Sequence, residues 1–141
     1  MLVRNVMKRS VVVSKPNINL REASKVMAEM NIGSIVVAEN DKPIGIVTST
    51  DILKALSENK NVDEVQVKDI MSKPVITIDP SKKIEDAVDL MVKNKIKRLV
   101  VTENEKIVGI ITASDIVAIE PKLLEELSKL MSFKLPGYSG G

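Results

Sequence analysis

The sequence predicts an α+β fold: tandem β-α-β-β-α repeats related by a pseudo-twofold, followed by a C-terminal amphipathic helix. Three observations predict it. Residues 6–53 recur 64 positions later as residues 70–117 without a gap, so that Met7 returns as Met71, Pro16 as Pro80, Ala23 as Ala87 and Met27 as Met91. Agreement is tightest at the end of the unit, where Gly45-Ile46-Val47-Thr48-Ser49-Thr50-Asp51-Ile52 becomes Gly109-Ile110-Ile111-Thr112-Ala113-Ser114-Asp115-Ile116. Within each copy, short β-branched runs alternate with apolar residues at helical spacing. A unit of roughly 50 residues buries too little surface to stand comfortably alone, so the halves are expected to pack together with equivalent surfaces facing. Any ligand site then exists in two versions.

The elements follow in order. Val11-Val12-Val13 and Val75-Ile76-Thr77 read as short strands ended near Pro16 and Pro80. Leu20, Ala23, Met27 and Met30 then fall at helical spacing, as do Ile84, Ala87 and Met91. Asn19 with Glu22 forms an N-cap pair, and Ser81 is the candidate cap in the second copy. Ile35–Ala38 with Ile44–Thr48, and Leu99–Thr102 with Ile107–Thr112, are strands joined by polar turns. Their consecutive apolar residues suit strands covered on both faces. A second helix starts near Thr50-Asp51 and near Ser114-Asp115, and polar Ser57–Val65 reads as the linker. Pro121 opens a last helix carrying Leu123, Leu124, Leu127, Leu130 and Met131, which either covers the module, joins a dimer interface or docks a partner. The expected division is a first repeat over 1–60, a second over 61–118, a C-terminal helix over 119–134 and a flexible tail over 135–141.

Composition excludes several function classes. The chain has no Cys and no His, which removes disulfides, thiol nucleophiles, imidazole bases and the usual transition-metal sites. Net charge is +2 and the aromatics are Phe133 and Tyr138 alone, so a base-stacking platform for nucleic acid is missing and the core must be aliphatic. No apolar run is long enough to span a membrane and no signal-peptide core is present, so a cytoplasmic protein is expected.

Thr48, Thr50 and Asp51, and their counterparts Thr112, Ser114 and Asp115, stand where a strand runs into a helix. A hydroxyl there can donate to a phosphate oxygen, and a carboxylate one turn away can accept from both hydroxyls of a vicinal diol. The same spacing is also a capping box, which satisfies helix N–H groups with no ligand, and the two roles are compatible. Gly45 and Gly109 read as points of close backbone approach, and the methionines as flexible core packing.

A β-α-β-β-α unit ending in Gly-h-h-Thr-x-x-Asp-h, present twice over about residues 6–118, resembles a pair of cystathionine-β-synthase (CBS) domains. The resemblance implies a cleft between the repeats, pairing of two modules into a homodimer, and regulation by an adenosine-containing small molecule such as AMP, ADP, ATP or S-adenosylmethionine. It implies a non-catalytic module that requires no cofactor and signals to a regulated protein that the chain does not name. Carried over residue by residue, it implies a preferred site with ribose on Asp115, phosphate on Thr112, Ser114 and Arg98, adenine against Ile110, and an opposite wall of Lys15, Leu20, Ile32 and Gly33. A secondary site would use Asp51, Thr48, Thr50, Ile46, Asp79, Ile84, Ile96 and Lys97. Arg98 stands where the first copy has Ser34, so the Asp115 site is expected to dominate; the alternative is that Lys93, Lys95, Lys97 and Arg98 form a solvated basic edge. The rival functions are a ligand-independent dimerisation scaffold and a nucleic-acid binder, the second suggested only by a pI of 8.8.

Overall fold

The computed structural model describes residues 1–131. The first repeat contains α1 (Val3–Val6), β1 (Val13–Ser14), α2 (Leu20–Met30), β2 (Ser34–Glu39), β3 (Lys42–Thr48) and α3 (Ser49–Ser57). The second contains α4 (Val67–Ile70), β4 (Thr77–Ile78), α5 (Ile84–Asn94), β5 (Arg98–Glu103), β6 (Lys106–Thr112) and α6 (Ala113–Ile119). A 3-10 turn over Pro121–Leu123 leads into α7 (Leu124–Met131). The expected α+β architecture of two equivalent units is therefore present. The tail expected over 135–141 lies outside the described residues.

Each repeat builds a three-stranded sheet in which the first strand runs parallel to the second and the second antiparallel to the third. The registers repeat too: Val36 pairs with Ile46 as Val100 pairs with Ile110, and a bulge follows Val37 as it follows Val101. Both hairpins turn through two residues at positive φ, Asn40-Asp41 and Asn104-Glu105, the backbone twist that a two-residue hairpin demands. The hairpin tips meet across the pseudo-twofold, where Lys42 pairs with Glu105 at 3.2 Å and the Ile107 amide donates to the Asp41 carbonyl at 3.3 Å.

The first strand of each unit is two residues long and begins two residues later than the apolar run suggests. Pairing decides this, because Val13 and Ser14 are the residues that lie beside Val36 and Val37. Asn19 caps α2 as expected, accepting from the Glu22 amide at 2.9 Å. Ser81 does not cap α5. The N-cap position is Lys83, whose amide donates to Asp86 at 3.2 Å, while Ser81 is drawn back to Asp79. The C-terminal helix also differs from a continuous 119–134 stretch, because Glu120 leaves helical geometry and Pro121 brings no N–H to continue the ladder.

The two cores cut across the division at residue 60. One is built from Leu20, Ala23, Met27, Ile35, Val37, Val47 and Ile52, and is completed by Val67, Ile70 and Met71 of the second repeat. The other is built from Ile84, Ala87, Met91, Leu99, Val101, Ile111 and Ile116, and is completed by Val3 and Met7 of the first. Each short helix thus serves the opposite lobe. The second residue after it then adds to that lobe's sheet edge: Lys8 exchanges both backbone hydrogen bonds with Ile110, at 2.8 and 2.9 Å, and Ser72 does so with Ile46, at 2.9 and 3.1 Å. Gly109 and Gly45 permit this approach. A Cβ on Gly109 would stand 2.6 Å from the Met7 sulfur and 3.0 Å from the Lys8 carbonyl, and one on Gly45 would overlap the Met71 side chain. Leu123 and Leu127 close the second core from outside.

Candidate functional site: two crevices between the repeats

Two pseudo-equivalent crevices open between the sheets. The larger, about 360 Å³, is lined by Ile46, Thr48, Ser49 and Thr50 of the first repeat and by Ser72, Pro74, Val75, Ile76 and Lys95–Arg98 of the second, with Gly33 at its edge. The smaller, about 220 Å³, is lined by Lys8, Ser10–Val12 and Asn31–Ser34 with Val36, and by Arg98, Ile110 and Thr112. Pockets for small molecules generally start near 300 Å³, which favours the first.

The strand-to-helix junctions are capped in both copies. The Thr48 hydroxyl accepts from the Asp51 amide at 3.2 Å and Asp51 Oδ2 accepts from the Thr48 amide at 2.8 Å. Thr112 and Asp115 do the same at 3.1 and 3.2 Å. The capping role of Thr-x-x-Asp is therefore met by the chain itself. What remains for a ligand is the proton of each hydroxyl and the second oxygen of each carboxylate. At the first junction the Ser49 amide is taken by the Gly33 carbonyl at 3.0 Å, whereas Thr50 has no intramolecular acceptor for its amide among the described residues.

The two carboxylates differ in that second oxygen. Asp115 Oδ1 faces the Lys8 ammonium at 3.5 Å. Ser72 occupies the matching position in the other copy, and among the described residues no hydrogen bond or ion pair engages Asp51 Oδ1. The nearby cation is Arg98, the first residue of β5, which lies beside Thr112 in the ladder and borders both crevices. Burial pushes its guanidinium below the ordinary arginine value, and the charge of Asp51 pulls the other way. No direct ion pair joins them, so Arg98 is half-buried without a committed partner among the described residues.

The expected site residues separate accordingly. Ile46, Thr48, Thr50, Ile96 and Lys97 come together in the larger crevice, with Asp51 bonded to the Thr48 amide. Ile32, Ile110 and Thr112 come together in the smaller, with Gly33 and Arg98 common to both. Several assignments are corrected. Leu20 and Ile84 are fully buried in the lobe cores, because they begin the apolar stripes of α2 and α5, which face inward. Asp79 is exposed and turned to Ser81, whose hydroxyl and amide hold its carboxyl below the usual carboxylate range. Lys15 and Ser114 are exposed and line neither crevice, and Asp51 and Asp115 reach the crevices only through the capped Thr48 and Thr112 that line them. Arg98, expected in the Asp115 site, borders both crevices and feels the charge of Asp51, and the larger space lies on the Asp51 side. Sequence reasoning missed Lys8, Ser72, Pro74 and Val75; the 64-residue period pairs Lys8 with Ser72, but only the edge bridges reveal that they wall the crevices.

Paired β-α-β-β-α units closing around two such crevices define a two-repeat module. The CBS domain model matches residues 3–58 and 67–121, and the chain belongs to the CBS domain family. An uncharacterised protein of Methanopyrus kandleri is 42% identical over 92% of this chain and 67% of its own length. An uncharacterised protein of Methanocaldococcus jannaschii is 44% identical over 74% of this chain, which spans only 34% of that relative. Among solved structures, a CBS domain pair in complex with 5′-methylthioadenosine and S-adenosyl-L-methionine is similar at a TM-score of 0.78 and 29% identity, covering 86% of this chain and 97% of that one. A conserved CBS domain protein of Thermoplasma acidophilum shares the fold at a TM-score of 0.82 and 22% identity, over 93% and 74% of the two chains. Among the described residues no helix is long and apolar enough to cross a membrane.

Proposed function

We propose that this CBS pair is a non-catalytic regulatory module that binds an adenine nucleotide, AMP in the simplest case, in the larger crevice between its repeats. The observation that carries the reading is Arg98: a half-buried guanidinium without a committed partner, beside a crevice lined by Thr48 and Thr50, with Asp51 joined to Thr48 by the cap and its second oxygen free. A guanidinium suits a phosphate, and a carboxylate oxygen suits the ribose hydroxyls. Ile46, Val75, Ile76 and Ile96 supply apolar walls for a base. The similar CBS pair that holds two adenosine derivatives supports the ligand class. ADP, ATP and S-adenosylmethionine are the other candidates.

Because the crevice is lined from both repeats, a ligand that prefers one relative arrangement shifts the population toward it, and a partner reads the difference. The working setting is a cytoplasmic homodimer. For a ligand of about 10 μM affinity supplied at 1 mM, one-site linkage gives about 2.7 kcal/mol of added stability. A melt unmoved by AMP, ADP, ATP and S-adenosylmethionine would overturn the proposal. Asp51→Asn, which keeps a capping acceptor, is expected to weaken AMP binding more than Asp115→Asn, as measured by titration calorimetry. A ligand-independent scaffold is favoured by one observation, the exposure of Leu53 and Leu56 on α3. It predicts the same dimer mass in light scattering, and the same melt, with and without nucleotide.

A further inference from the structure

We propose that the two crevices share a single anion-binding group, Arg98, so that a phosphate-bearing nucleoside in one crevice weakens binding of a second in the other, while an uncharged nucleoside does not. The inference rests on the nucleotide-binding reading above and adds a coupling to it. Arg98 borders both cavities, whereas every other cation near them belongs to one: Lys95 and Lys97 to the larger, Lys8 to the smaller. Lys8 is already engaged with Asp115 at 3.5 Å, which leaves Arg98 as the uncommitted cation of the smaller crevice.

Duplication ought to have provided two such arginines, one per crevice. The position equivalent to Arg98 is Ser34, which occupies the same place opposite Thr48 that Arg98 occupies opposite Thr112. One fork is thus available where the pseudo-twofold creates two sites. A guanidinium holds a phosphate through two parallel N–H bonds from one edge, so turning that edge to one crevice withdraws it from the other. A nucleoside without phosphate has no claim on this group and feels no such competition. By linkage the penalty is the same whichever crevice fills first.

The test reads the two crevices separately in the intact chain, through methyl NMR of Ile46 in the larger and Ile110 in the smaller, during titration with AMP and with adenosine. For wild type, the ratio of the dissociation constant at Ile110 to that at Ile46 is expected to be about tenfold larger with AMP than with adenosine, within the usual range of allosteric coupling. Ser34→Arg supplies the missing fork and is expected to bring the AMP ratio to within about threefold of the adenosine ratio. Arg98→Ala is expected to do the same by removing the shared group, while lowering AMP affinity at both methyls. Equal ratios for AMP and adenosine in wild type would overturn the proposal. Silence of both methyls toward both compounds would overturn the nucleotide reading along with it. A persistent AMP-specific gap in both variants would assign the gap to some other cause and overturn the role of Arg98.

Discussion

Gly109 and Gly45 illustrate how a single absent side chain fixes the joint between repeats. The sequence marks both as places of close approach, yet what approaches is legible only in three dimensions, because Met7 and Met71 arrive from the opposite repeat. Overpacking of this kind costs about 1–3 kcal/mol. Gly109→Ala is expected to lie toward the top of that range in urea denaturation, since one obstacle is the Lys8 backbone carbonyl at 3.0 Å. At Gly45 the nearest atoms all belong to the Met71 side chain, so Gly45→Ala combined with Met71→Ala is expected to cost less than the two changes summed. The Thr-x-x-Asp motif was legible as chemistry but not as a choice between cap and ligand site, and the geometry shows the cap formed while one oxygen of Asp51 stays open. Arg98 was legible as a candidate phosphate clamp for one crevice, but its position bordering both was not, because sequence proximity to Asp115 does not say what a long side chain can reach.

Among the elements, the long and periodic ones were the readable ones. α2 and α5 carry their Leu20-Ala23-Met27 and Ile84-Ala87-Met91 stripes inward as the spacing requires, and both hairpins fall where their polar turns place them. α1 and α4 were not readable, since four residues are too few to display a helical period and neither helix packs on its own repeat. Their stability comes from the opposite core rather than from local propensity. The last helix shows the converse case. Its leucine spacing was plain, and Leu127 is fully buried against the second core. Leu127→Ala is expected to cost about 2–5 kcal/mol by thermal or urea melts, whereas the exposed Leu124 is expected to tolerate alanine with little loss.

For the molecule as a whole, the exchange of α1 and α4 makes each lobe incomplete without the other. Calorimetry is therefore expected to show one transition whose calorimetric and van't Hoff enthalpies agree; two resolved transitions would contradict the interlocked cores. The internal repeat foretold two equivalent units and the Arg98–Ser34 mismatch foretold unequal crevices, but the Lys8–Ser72 mismatch became legible only once the edge bridges set both residues at the crevice walls. The same exchange also sets an order of assembly during translation. The segment holding Val3 and Met7 is made before the core it completes, whose other members run from Ile78 to Leu127. The first lobe can close once Met71 has left the ribosome. Val3 and Met7 must instead wait, unsheltered, until the second repeat has been made before they can dock.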